Sequence, residues 1–168
     1  MQFLSYRINY LHRELSFYKP DPSKFHVTIK NMTMNWNLIF KLSLFGLAMG
    51  IATVYWIPFN IEPYFWLVIF IICAYAIAKN CSGKYFLHGF FLSLVNCIWI
   101  TAAHVLLFKT YATNHPEVLT MNARMPLPTH PRIMTLILGP VFGVLFGLIL
   151  GLFAFVAGKL VKRPATST

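Results

Sequence analysis

The sequence predicts an all-α fold, a four-helix transmembrane bundle, from three observations: its composition, four long apolar windows and the placement of its basic residues. Of 168 residues, 58% are hydrophobic, 17% aromatic and 11% charged, whereas about a quarter of the residues of a soluble protein are charged. The windows cover residues 37–57, 61–78, 85–108 and 133–158, close to the roughly 20 residues that a hydrocarbon core demands. They leave no room for a soluble domain. The net charge of +10 would suggest nucleic acid if it were spread over a soluble surface, but it follows membrane topology. Arg7, Arg13, Lys19, Lys24, Lys30, Lys79, Lys84, Lys159, Lys162 and Arg163 fall on one side of the threaded chain, and only Lys109, Arg124 and Arg132 on the other. By the positive-inside rule both ends are cytoplasmic, N-in and C-in, and the basic bias needs no nucleic-acid partner.

Residues 1–33 differ in character from the rest of the chain, with Lys19-Pro20-Asp21-Pro22 at their centre. Two readings stand. Met32 or Met34 can be the native start, which makes the segment an extension foreign to the native protein. Alternatively, Leu4, Ile8, Leu11 and Leu15 form a helical stripe opposite Ser5, Asn9, His12 and Ser16, as in an interfacial helix lying on the cytoplasmic leaflet. No apolar run of the kind a cleavable signal peptide requires is present there.

The first span carries Gly46 and Gly50 one turn apart, flanked by Ser43 and Thr53, and Lys41 within snorkelling reach of its end. Pro58 and Pro63 bracket a tight turn, which makes the first two spans antiparallel neighbours. The second span ends at Lys79-Asn80-Cys81-Ser82-Gly83-Lys84, whose Ser-Gly pair signals another short connection. Tyr55, Trp56, Tyr64, Trp66 and Tyr111 gather at one predicted interface and Trp36 and Tyr85 at the other, where amphipathic rings are enriched. Residues 109–132 form the one sizeable loop, interrupted by Pro116, Pro126, Pro128 and Pro131, with room for a short interfacial helix over 117–125. The last span holds Pro140, which removes a backbone hydrogen bond and predicts a kink. Residues 164–168 are a tail.

The strongest motif is the series Gly139, Gly143, Gly147 and Gly151, which strips one ridge of the last span of side chains. Small residues at this spacing let membrane helices approach closely, and association in lipid depends on such contact. We expect this ridge to meet Gly46 and Gly50 of the first span, with homo-oligomerisation, or contact with another membrane subunit, as the competing use.

The third span is the one with several polar groups at depth. At about 100° per residue, Ser93, Cys97, Thr101 and His104 share an arc, with Asn96 and Gly89 beside it, while Val95, Ile98, Trp99, Ala102 and Leu106 face away. This face serves either as interhelical glue or as the lining of a path for a small solute or ion. At or beyond the outer end of this span, His115, Glu117 and His130, near Met121 and Met125, offer ligand types suited to copper or zinc, though their spacing specifies no geometry. Cys73, Cys81 and Cys97 are an odd number without metal-type spacing and imply no disulfide framework. The spans contain no Asp or Glu apart from Glu62 at a boundary. No acid/base pair, nucleophilic triad or phosphate loop can be assembled, so neither an enzyme nor a cofactor is expected.

Ala102-Ala103-His104, His115-Pro116-Glu117, a Met/Pro-containing loop and a glycine-rich last span closing on Lys159-Leu160-Val161-Lys162-Arg163 together resemble small four-span bacterial inner-membrane proteins of unknown function. The resemblance covers residues 34–163 and implies the fold and a bacterial cytoplasmic membrane, with no active residues to carry over. The functional expectation is a non-catalytic structural or accessory subunit. A solute or ion pathway along span three and metal binding by the 109–132 loop are the alternatives.

Overall fold

A computed structural model describes residues 33–161; the expected interfacial helix within 1–33 and the 164–168 tail lie outside the described residues. The described chain is all-helical, with α1 Trp36–Tyr55, α2 Glu62–Asn80, α3 Tyr85–Leu106, α4 Phe108–Asn114, α5 Pro116–Ala123 and α6 Pro131–Leu160. Four of these, α1, α2, α3 and α6, are long and apolar enough to cross a membrane, the architecture of a multi-pass membrane protein. The 30 residues of α6 make a rod of about 45 Å at 1.5 Å per residue, longer than a hydrocarbon core of about 30 Å. The helix continues through Pro140.

Each helix begins and ends for a local reason. The Asn35 side chain accepts from the Leu38 backbone N–H and caps α1. At its far end Trp56 and Ile57 both donate back to the Ala52 carbonyl. The turn before α2 is closed by Ile61 and Glu62 N–H groups on the Pro58 carbonyl. Glu62 then places an acid in the first turn of α2, where the helix dipole favours it, and accepts from the Trp66 indole one turn on. Lys84, before α3, adopts the left-handed conformation with φ 51°. Leu107 leaves helical geometry and separates α3 from α4, so the third crossing stops short of the expected residue 108. The 109–132 loop is largely ordered into α4 and α5, and Pro116 opens α5 where a missing N–H costs nothing.

The packing corrects one expectation. The ridges of α1 and α6 do not meet each other; both pack against α3. Along the α3/α6 seam, Gly151 faces Phe86, Gly147 faces Phe90 and Gly143 faces Cys97, so residue numbers rise on one helix as they fall on the other and the pair is antiparallel. Along the α1/α3 seam, Asn35 meets His88, Gly46 meets Asn96 and Thr53 meets His104, which makes these helices parallel. α2 leans mainly on α6 and approaches α1 only slightly, although a tight turn joins them. Larger side chains fill the remaining centre, with Ile39 and Met49 of α1, Ile69, Phe70, Cys73 and Ile77 of α2, Leu92 of α3 and Leu150 of α6 in one buried cluster.

Candidate functional site

Because both glycine ridges close on α3, its polar face is divided between two neighbours. Ser93 donates to the Gly143 carbonyl at 3.3 Å and the Cys97 thiol to the Gly139 carbonyl at 2.7 Å, so the bare ridge of α6 exposes backbone acceptors that α3 side chains occupy. Thr101 sits where a side chain on Gly139 would stand. The backbones come closest at Gly89, a residue outside the expected packing set, where an added Cβ would lie 2.6 Å from the Leu150 carbonyl oxygen. A lone mid-helix glycine costs about 1 kcal/mol relative to alanine, and that unexplained cost was the signal for it.

The other seam faces α1. Trp99, expected to face away, donates its indole N–H to Ser43 Oγ at 3.2 Å, and Val95 packs against the buried cluster; Ile98 and Leu106 are exposed as expected. At the end of the bundle holding the α2–α3 connection, His88 is 1% exposed. Its Nδ1 donates to the Lys84 carbonyl and its Nε2 accepts from the Asn35 backbone N–H, both at 2.9 Å. It thereby does across helices what the glutamate of a capping box does within one. Midway, Asn96 is 3% exposed and neither end of its amide has a hydrogen-bond partner. A Cβ on Gly46 would stand 2.6 Å from Asn96 Oδ1, so the Gly46 Cα–H points at that oxygen, a weak contact that leaves the amide nitrogen without an acceptor.

The densest polar cluster lies at the other end, where α4 and the turn between α4 and α5 fold over the ends of α1 and α3. Thr53 Oγ1, 1% exposed, donates into its own helix toward the Met49 and Gly50 carbonyls. It also lies 2.9 Å from His104 Nε2. The Tyr111 ring stacks on His104 at 4.1 Å and leans on His115 at 4.8 Å. Burial, followed by the nearby Glu62 and Glu117 carboxylates, pushes the Tyr111 phenol up to about 12. His115, 4% exposed, reaches the Thr53 carbonyl through Nε2 at 2.6 Å and Glu117 Oε1 through Nδ1 at 3.3 Å. Asn114 donates to the Val54 carbonyl at 2.8 Å. The last turn of a helix has carbonyls without intrahelical partners, and here two side chains from the loop supply them.

The three residues that offered metal-ligand types, His115, Glu117 and His130, do not assemble into one site. His115 and Glu117 are paired, whereas the exposed His130 pairs with Thr129, and among the described residues no three His, Cys, Asp or Glu side chains converge as a metal would require. Compared with known proteins, the chain matches no family model, no curated protein and no solved structure.

Proposed function

We propose that this chain is a non-catalytic structural or accessory subunit of a bacterial cytoplasmic membrane, with both ends cytoplasmic and the α4–α5 cap on the outer side. One observation carries the reading: the polar side chains of α3 toward α6 spend their donors on backbone carbonyls of the neighbouring helix. Groups so committed hold a bundle together and offer a passing solute little. The lipid bilayer is the first partner, and the basic residues suit its cytoplasmic face rather than nucleic acid. Since α3 fills the α6 ridge, a second copy or another membrane subunit docking on α6 would use its opposite face. Single cysteines placed along α3 in membrane vesicles and challenged with a water-soluble maleimide test the proposal. Protection at positions 93, 97 and 101 is expected, and rapid labelling at any of them would count against a packed seam.

The unpaired amide of Asn96 favours a second reading, in which the α1/α3 seam opens to admit water and a small solute. In that case Asn96→Cys labels from the aqueous phase while positions 93 and 97 stay protected.

A further inference from the structure

The charges of the described residues are divided unevenly between the two ends of the bundle. Both acids, Glu62 and Glu117, lie at the end that holds Tyr111, whose phenol feels them both, and there they are set against Lys109, Arg124 and Arg132. The other end carries Lys41, Lys79, Lys84 and Lys159, all exposed, and none of the four has an acid partner among the described residues. A lone exposed lysine is solvated by water and gains little from a partner. Two of these four are not alone.

The Tyr85 ring lies where a side chain on Gly158 would stand. Lys84 immediately precedes that tyrosine and Lys159 immediately follows that glycine, so the contact that closes this end of the α3/α6 seam also sets two lysines on its border. Lys84 stands at the start of α3, the positive end of the helix dipole, which disfavours a cation. The Lys159 ammonium rests over the Phe155 ring, 5.6 Å from its centroid, and Phe155 is 46% exposed on a face turned away from the rest of the bundle. That charge is therefore held at the outer surface of α6, at the end of the span, where a bilayer places its headgroups. Like charges brought together repel, and an anion between them replaces the repulsion by two attractions. At this depth the anion at hand is a lipid phosphate.

We propose that the Lys84/Lys159 border of the α3/α6 seam seats one anionic phospholipid, its phosphate between the two ammonium groups and its acyl chain along the exposed Phe155 and Leu152. The inference rests on the bilayer placement given above, whose lipid partner it specifies, but not on which side of the membrane this end faces. Lys41 belongs to α1 and Lys79 to α2, neither of which forms the α3/α6 seam, so they provide the internal control.

The test takes the full-length chain in nanodiscs of equal parts phosphatidylcholine and phosphatidylglycerol and counts the lipids that remain bound in native mass spectrometry. One phosphatidylglycerol is expected to stay with each protomer in preference to phosphatidylcholine. In the Lys84→Gln/Lys159→Gln protein that preference should fall about fivefold for each lysine removed. The Lys84→Arg/Lys159→Arg protein keeps it, and so does Lys41→Gln/Lys79→Gln, which loses the same net charge elsewhere. Circular dichroism checks that each variant retains its helices; should the first pair lose them, Lys159→Gln alone carries the comparison, with a fivefold fall. No preference in the parent, an equal loss in both glutamine pairs, or release of the lipid by inorganic phosphate but not by chloride of the same ionic strength overturns the proposal. The structural reading fails separately, through maleimide labelling at positions 93, 97 and 101.

Discussion

Asn96 and Ser93 stand one turn apart on α3 and have opposite energetic roles. Ser93 completes a hydrogen bond to α6, an interaction worth about 0.6 kcal/mol between membrane helices, so Ser93→Ala should lower stability by about that amount. Asn96 buries an amide without partners, a burden of about 1–3 kcal/mol. Asn96→Ala is therefore expected to leave stability unchanged or raise it, measured by reversible unfolding in mixed micelles. Tyr111 supplies a prediction in pH. Its neutral phenol is favoured in the fold, so the stabilisation is complete below the ordinary tyrosine value of about 10 and disappears as pH rises through about 12. Alkaline titration of phenolate absorbance should show a late step that Tyr111→Phe removes. The importance of His115 was hidden in the sequence because its main partners are the backbone of Thr53 and an acid two residues on. A backbone carbonyl has no residue identity, and His-Pro alone reads as a turn.

At the scale of helices, the glycines differ in what an added methyl group would meet, and so in what substitution should cost. On Gly89 the methyl meets the main chain of Leu150 and Gly151, which cannot move without parting the helices. On Gly139 it meets the Thr101 side chain, which can turn. Gly89→Ala should thus cost about 2–3 kcal/mol, toward the upper range of overpacking, and Gly139→Ala less; thermal unfolding in detergent ranks them. The four crossings were legible because length and apolarity alone define a span. Which helix fills a bare ridge was not. In lipid every outward surface is apolar, so spacing reveals that a face is thin without naming its partner. Phe86 and Phe90, bulky residues at four-residue spacing opposite Gly151 and Gly147, were the complementary shape that pointed to α3.

Taken whole, the molecule is organised around α3, which holds α1 on one side and α6 on the other. The glycines of α6 are spent within the chain, with Gly143, Gly147 and Gly151 all buried. Gly147→Leu should consequently abolish the folded monomer and leave no intact protomer released from a larger assembly; size-exclusion chromatography combined with circular dichroism distinguishes the outcomes.

The order of the helices in space also differs from their order of synthesis. α2 emerges from the ribosome immediately after α1, touches it little, and finds its principal neighbour only when α6 arrives two crossings later. Until then it must wait in lipid with its future contact surface bare. A nascent chain halted after α3 would present quality-control proteases with a complete α1/α3 pair and an unclaimed α2, making the last helix the one whose insertion decides whether the earlier ones survive.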